Sequence, residues 1–114
     1  WCRSSYPAAP QDLNLTAILT LRERFQRYPI GWSGHETGLW TSLCAVVLGA
    51  SMIERHFTLD RASKGTDHAV SVEPKGIARL VQAIRRWEEA RGTGELDGPI
   101  PSELPVLAKL RKYT

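Results

Sequence analysis

Two short apolar runs that each end in a histidine constrain the fold of this 114-residue chain most strongly. The first run ends at His35 and the second at His56, and residues 37–53 between them carry no charged side chain. A strand, a buried helix and a second strand explain this pattern, because parallel strands are joined by a crossover helix. The carboxyl ends of such strands lie at one edge of the sheet, so we expect the two imidazoles to converge. In an α/β barrel that edge is the mouth, where barrel enzymes keep their chemistry.

The uncharged segment does not predict a membrane span. A span requires ~20 consistently apolar residues, and this one is interrupted by Thr37, Gly38, Thr41, Ser42, Gly49 and Ser51. The net charge of +3 is too mild to indicate nucleic-acid binding. Cys2 and Cys44 form no disulfide framework. We therefore expect a soluble, cytoplasmic protein whose partners include neither nucleic acid nor membrane.

Hydrophobic spacing and turn residues predict three strand–helix units followed by a tail. Pro29 breaks the first helix, Gly49 stops the second, and Pro74 suits the first turn of the third, which ends near Gly92. The predicted strands cover 1–6, 30–35 and 52–57, the helices cover about 15–25, 37–48 and 74–91, and a short basic helix is possible over 107–112. These elements predict an α/β domain over 1–96 and a tail over 97–114. Periodicity alone leaves a doubly wound sheet open as an alternative to a barrel.

Strand alternation sorts the side chains onto two faces, because residues i and i+2 point to the same side. The apolar residues Ile30, Trp32, Ile53 and Phe57 fall on the face that packs under the helices. Arg55 also falls on that face and breaks the pattern. Polar and metal-binding groups collect on the opposite face, which contains Cys2, Ser4, Tyr6, Gly31, Ser33, His35, Met52, Glu54 and His56.

This polar face is a candidate metal site. Two neutral imidazoles with open remaining positions suit a divalent metal that also binds substrate. The alternative is that both histidines are structural groups with satisfied hydrogen bonds. Glu54 can orient a histidine, bind metal through water, or pair with an arginine. Asp67 is either a loop cap or a carboxylate that leans over the strand ends.

Several motifs spread along the chain resemble the sialic acid synthase family. The resemblance runs in order from residue 1 to about Gly94 and continues more thinly to Arg111. The SGHE form at 33–36 resembles the branch of that family that includes the animal enzymes. The motifs are CRSSYP (2–7), NL (14–15), IGWSGHETG (30–38), VLGA (47–50), IERHFTLDR (53–61), KGTDH (64–68), SVEP (71–74), SELP (102–105) and KLR (109–111).

The resemblance implies a (β/α)₈ TIM barrel, of which this chain would supply strands 6–8 and their helices. It implies an enzyme that condenses phosphoenolpyruvate with N-acetylmannosamine, or its 6-phosphate, to give N-acetylneuraminate, or its 9-phosphate, and phosphate. The family's two metal ligands fall on His35 and His56, with Mn²⁺ or Mg²⁺ as the metal. Its acidic site residues fall on Glu54 and Asp67, Asp67 lying near the sugar. The positions that contact phosphoenolpyruvate fall on Ser4, Tyr6 and Ser33.

Two departures from the family pattern lie in the first segment. Many members carry Asn at the position of Ser4. Serine has a shorter side chain, so its reach to the substrate carboxylate is shorter. Arg3 stands where Thr is usual, on the opposite face of the strand. The lysines and serines that hold the phosphate in this family belong to earlier strands.

The expected activity therefore belongs to a longer parent protein, a homodimer in this family. We expect the isolated 114 residues to be inactive and poorly soluble. A truncated, non-catalytic paralogue that keeps the barrel face as a scaffold is the second hypothesis. An unrelated metallohydrolase barrel is the third hypothesis. It ranks last because it would need additional carboxylate or histidine ligands at strand ends, and only Glu54 and Asp67 are available.

Overall fold

The computed structural model describes residues 1–110 of an α/β chain in which helices and strands alternate. A 3₁₀ turn at Pro10–Asp12 precedes the first helix. The order is α1 (Ala17–Arg24), β1 (Gly31–Gly34), α2 (Trp40–Val47), β2 (Met52–Arg55), α3 (Pro74–Ala90) and α4 (Leu104–Leu110). The end of the predicted basic helix, from residue 111, lies outside the described residues.

The two strands are adjacent and parallel, as the strand–helix–strand pattern predicts. Gly31 is paired with Met52 and Gly34 with Arg55. This register places the carboxyl ends of β1 and β2 side by side. The residues that follow them, His35 and His56, therefore emerge at the same edge.

The predicted strand over residues 1–6 is wrong in extent, because it is reduced to one parallel bridge between Cys2 and Ser33. The Trp1 carbonyl accepts from the Ser33 N–H at 2.9 Å. The Arg3 carbonyl could continue this ladder by accepting from a backbone N–H. It accepts instead from the imidazole of His35, at 2.8 Å. A side chain at the end of β1 thus takes the hydrogen bond that a longer strand would need.

The core lies on the side of β1 that the alternation assigns to the helices. Trp32 is 1% exposed and packs with Leu13, Ile18 and Ala45, and Ile53 packs against this cluster. Phe57 was also expected there, but it is 57% exposed. The reason is that β2 ends at Arg55, so Phe57 lies beyond the strand in an isolated bridge to Val72.

Helix ends follow the residues that favour them. Gly49 follows α2 with a φ of +97°, a conformation that glycine adopts without steric cost. Pro74 is the first residue of α3, where its missing N–H would have had no helical partner. None of the helices within residues 1–110 combines the length and hydropathy needed to cross a membrane.

The described residues leave much apolar surface uncovered. The radius of gyration is 19.2 Å, whereas a compact domain of this length has about 13 Å. Met52, on the face of β2 that also carries Glu54, is 60% exposed. The polar face of the sheet therefore has no second layer within residues 1–110.

Candidate functional site

His35 and His56 meet at the carboxyl edge of the sheet. Their ring centroids are 5.0 Å apart and the ring planes are nearly perpendicular, at 87°. Continuing the β1–β2 register by one residue places the two histidines opposite each other. The convergence predicted from the sequence is thus present, and we call these two residues the histidine pair.

The tautomer of His35 follows from its hydrogen bonds. Its Nδ1 lies 2.8 Å from the carbonyl oxygen of Arg3. A carbonyl only accepts, so Nδ1 carries the proton and Nε2 keeps its lone pair. The ring is buried, at 4% exposure, which holds this orientation. His35 therefore presents an unprotonated nitrogen toward the polar face.

The ring of Tyr6 packs against both histidines at a tilt, with interplanar angles of 39° to His35 and 57° to His56. Its ring centroid lies 4.4 Å from that of His35 and 5.7 Å from that of His56. Its hydroxyl lies 3.3 Å from Nε2 of His35. Because Nε2 is an acceptor, the Tyr6 hydroxyl donates this hydrogen bond. A ligand therefore binds Nε2 of His35 only when the Tyr6 hydroxyl gives up this hydrogen bond.

Asp67 reaches the other member of the pair from the loop between β2 and α3. One of its carboxylate oxygens, Oδ2, lies 3.6 Å from Nδ1 of His56. The carboxylate is half exposed, at 54%, and the imidazole is 28% exposed. A carboxylate beside Nδ1 favours the neutral tautomer with its proton on that nitrogen, and in that tautomer the lone pair is on Nε2.

Hydrogen bonds within the loop hold Asp67 in place. The Ser71 hydroxyl donates to the Asp67 carbonyl at 2.6 Å. Nδ1 of the neighbouring His68 lies 2.8 Å from the Thr58 hydroxyl. His68 therefore has a structural partner of its own and does not join the histidine pair.

Ser33 and Glu54 form a second layer on the same face, two residues before each histidine. They are register partners, and the Ser33 hydroxyl donates to Oε2 of Glu54. A serine hydroxyl has one proton. Ser33 therefore donates to a substrate only after it releases Glu54.

Ser4 lies at the margin of this arrangement. Its hydroxyl is 3.7 Å from the sulfur of Cys2, which in turn lies 3.7 Å from Nδ1 of His35. The structure thus brings Tyr6, His35, His56 and Asp67 into direct contact, pairs Ser33 with Glu54, and links Ser4 through Cys2.

The donor set fits part of a divalent metal site. Within residues 1–110 no group of three His, Cys, Asp or Glu side chains is arranged to hold a metal ion. The histidine pair offers two Nε2 lone pairs on one face, which suits a metal that takes its other ligands from water or substrate.

A buried ion pair behind the histidines was missed by sequence reasoning. Nη1 of Arg55 lies 3.3 Å from Oε1 of Glu36, and both side chains are 2% exposed. The carboxylate also accepts hydrogen bonds from the hydroxyls of Thr41 and Ser42, in the first turn of α2. This pair explains why Arg55 occupies a position where the alternation calls for an apolar side chain. The available signal was two opposite charges, each next to a histidine in the sequence.

Burial and neighbouring charges act in opposite directions on this arginine. Desolvation lowers the pKa of Arg55 below its ordinary value, and Arg61 adds to that effect. Glu36 and, more weakly, Glu54 oppose the lowering by stabilising the charged form. The guanidinium is thus held as a cation by carboxylates on both faces of the sheet.

A sequence profile of the NeuB family matches residues 1–96. The chain is 46% identical over 113 residues to the N-acetylneuraminate-9-phosphate synthase of Homo sapiens, covering 97% of this chain and 31% of that protein. It is 44% identical over 111 residues to the N,N'-diacetyllegionaminic acid synthase of Legionella pneumophila, with the same coverage of each. The chain therefore spans about a third of the length of these relatives.

A solved structure with the same fold is the N-acetylneuraminic acid (sialic acid) synthetase of Leptospira borgpetersenii, in complex with citrate. The TM-score is 0.78 and the sequences are 41% identical. The match covers 98% of this chain and 40% of that one.

Proposed function

The chain belongs to the NeuB family, and we propose that it forms part of the active site of a synthase that makes a sialic acid-type sugar. The histidine pair at the ends of two adjacent parallel strands, 5.0 Å apart, is the observation that carries this proposal. Its relatives in Homo sapiens and Legionella pneumophila are synthases of such sugars, which supports the same class of product here.

The reaction we propose joins phosphoenolpyruvate to N-acetylmannosamine or its 6-phosphate. The enol carbon of phosphoenolpyruvate forms a bond to the sugar aldehyde carbon, and the aldehyde oxygen takes up a proton. Water adds at the carbon that bears the phosphate, and the C–O bond to phosphate breaks. The products are N-acetylneuraminate, or its 9-phosphate, and inorganic phosphate. We favour N-acetylmannosamine-type sugars because the human relative is the N-acetylneuraminate-9-phosphate synthase.

The histidine pair would hold Mn²⁺ or Mg²⁺ through Nε2 of His35 and of His56. A bound divalent cation would polarise the sugar aldehyde as a Lewis acid. The protein contributes the orientation of the ligands: Arg3 fixes the His35 ring through its carbonyl, and Asp67 faces Nδ1 of His56. Neither contact uses Nε2, which supports the assignment, and a metal at Nε2 of His35 would replace the hydrogen bond from the Tyr6 hydroxyl.

Three hydroxyls on the polar face would bind the carboxylate of phosphoenolpyruvate. Tyr6 lies next to the histidine pair, Ser33 lies next to Glu54, and Ser4 lies near Cys2. Neutral donors orient an anion without the strong attraction that would slow release of a charged product. Holding the two substrates together lowers the entropic part of the barrier.

The two carboxylates would act on protons and on the sugar. Glu54 already shares a hydrogen bond with Ser33, so a substrate carboxylate bound by Ser33 brings the reacting carbon close to it. We assign Glu54 the transfer of a proton from the attacking water. Asp67, half exposed at the rim, would accept hydrogen bonds from sugar hydroxyls.

We propose that the segment paired to β1 through Cys2, β1 and β2 occupy the positions of the last three strands of a (β/α)₈ TIM barrel completed by the rest of a longer parent protein. The exposed polar face and the large radius of gyration support a missing second layer. The share of the relatives that the chain spans supports it too, at 31% for the human protein. Dimerisation of the parent and its cytoplasmic location stay predictions.

The proposal is tested by phosphate release from phosphoenolpyruvate by the purified parent protein. We expect release that needs both N-acetylmannosamine, or its 6-phosphate, and Mn²⁺ or Mg²⁺. It should stop on chelation and resume when metal is restored. The isolated 114-residue chain is the matched control and should be inactive. A parent that releases no phosphate with either sugar and either metal would contradict the function, and turnover by the isolated chain would contradict its dependence on a larger barrel.

A further inference from the structure

We propose that Glu36 and Arg55 are positioning residues that set the separation of the two imidazoles from behind the sheet. Each stands next to one member of the histidine pair, Glu36 directly after His35 and Arg55 directly before His56. Alternation turns their side chains to the face opposite the imidazoles. The buried ion pair between them therefore ties the two strand ends together. This inference rests on the proposed function, since the geometry it preserves is that of the proposed metal ligands.

The guanidinium of Arg55 reaches well beyond its carboxylate partner. Nη2 donates to the backbone carbonyl of Glu36 at 2.7 Å, and Nη1 donates to the carbonyl of Gly38 at 2.9 Å. Nη1 also donates to the Ser42 hydroxyl at 3.0 Å. A residue of β2 thus holds the backbone on which His35 sits, through hydrogen bonds that do not depend on the carboxylate.

The same guanidinium contacts the loop that carries Asp67. Nη2 lies 3.5 Å from the carbonyl of Val70, three residues after Asp67. Arg55 therefore contacts the end of β1 and the Asp67 loop from its own position at the end of β2. These three segments carry the three groups around the proposed metal position.

Gly34 makes room for this arrangement. A Cβ at this position would lie 2.7 Å from Oε2 of Glu36 and 2.9 Å from Cδ of Arg55. Any other residue would push the ion pair away from the strand. The glycine in the SGHE segment is thus explained by the approach of the ion pair to the backbone.

A double substitution can separate the effect of the ion pair on histidine position from its effect on stability. Replacing both members of such a pair by apolar side chains often leaves stability unchanged or raises it, whereas removing one member leaves a buried charge. The double variant Glu36→Leu/Arg55→Met should therefore regain the stability that Arg55→Met loses. It should not regain the directional hydrogen bonds to the carbonyls of Glu36 and Gly38. A purely structural role predicts that function recovers with stability.

The experiment measures Mn²⁺ affinity by calorimetric titration of the parent protein, together with the thermal unfolding midpoint. We expect the double variant to unfold near the wild-type temperature yet to bind Mn²⁺ at least about tenfold more weakly, as is usual when groups that orient metal ligands are removed. Leu80→Ala is the matched control, because it removes a buried apolar side chain of α3 without removing a hydrogen bond at either strand end. It should lower the midpoint while affinity stays close to wild type. Recovery of affinity along with stability in the double variant, or an equal loss in Leu80→Ala, would overturn the inference.

A second readout keeps this inference separate from the proposed function. The separation of the histidine rings in a crystal structure of the double variant should exceed the 5.0 Å of the wild type. Rings that stay at the wild-type separation would refute the positioning role whether or not metal binds. Failure of the wild-type parent to bind Mn²⁺ would instead contradict the proposed metal. Should the double variant not fold, Arg55→Lys, which keeps a cation beside Glu36 but loses the bonds from the guanidinium to the carbonyls of Glu36 and Gly38, should weaken Mn²⁺ binding and widen the ring separation in the same way.

Discussion

Replacing His35 or His56 by alanine in the parent protein should lower metal-dependent phosphate release by at least about a thousandfold, because Lewis-acid stabilisation by a bound metal is worth several kcal/mol. The two ring centroids lie 5.0 Å apart, and the partner of each ring contacts Nδ1, which leaves Nε2 as the nitrogen for a metal. Loss of either ring removes half of the protein nitrogen ligands. The measurement is initial-rate phosphate release over a range of metal concentrations, with bound metal determined in parallel.

His68→Asn is the control for these variants. His68 is the third histidine of the chain and is bound to the Thr58 hydroxyl rather than to the pair. An asparagine keeps a hydrogen-bonding atom for Thr58, so most of the activity and all of the bound metal should remain. Wild-type rates in His35→Ala or His56→Ala would reject the ligand assignment.

The second large effect is on stability. Arg55→Met should lower the free energy of unfolding of the parent by about 3–5 kcal/mol, the usual cost of leaving one member of a buried ion pair unpartnered. The carboxylate of Glu36 is 2% exposed and would remain buried without its cation. Urea denaturation followed by tryptophan fluorescence measures the change, since Trp32 lies in the adjacent core.

Arg85→Met makes the same chemical change on the surface and serves as the control. Arg85 pairs with Glu88 one turn along α3, and both side chains are largely exposed. Exposed pairs of this kind contribute little to stability. Equal destabilisation by the two substitutions would show that burial of the Glu36–Arg55 pair is not the cause of the expected loss of stability.

Much of the geometry of the candidate site follows from strand alternation and parallel pairing. An uncharged, helix-length segment between two strands makes those strands parallel neighbours. Their carboxyl ends then coincide, and the residues at matching positions, His35 and His56, must meet. The same rule places Ser33 beside Glu54 and Trp32 in the core, where the structure has them.

The errors concern hydrogen bonds that local patterns do not encode. Residues 1–6 have the composition of a strand, but the Arg3 carbonyl binds an imidazole from a residue far away in the sequence. Phe57 has the right parity for the core, but β2 ends two residues earlier. Both cases depend on where a strand stops pairing, which is decided by tertiary contacts.

Arg55 shows a different limit. Alternation correctly assigned it to the helix-facing side, where a charge is unfavourable without a partner. The partner, Glu36, lies on the neighbouring strand end, and the two hydroxyls that also donate to its Oε1 come from α2. Periodicity identifies the face of a residue but not the groups that lie behind it.

The proposed function depends above all on the histidine pair holding the metal of a sialic acid-type synthase. The most direct test is the anomalous scattering of Mn²⁺ in crystals of the parent protein. We expect one anomalous peak in contact with Nε2 of both His35 and His56, on the face that carries Tyr6 and Glu54. A fully occupied Mn²⁺ peak elsewhere in an active crystal, with none at the histidine pair, would contradict it.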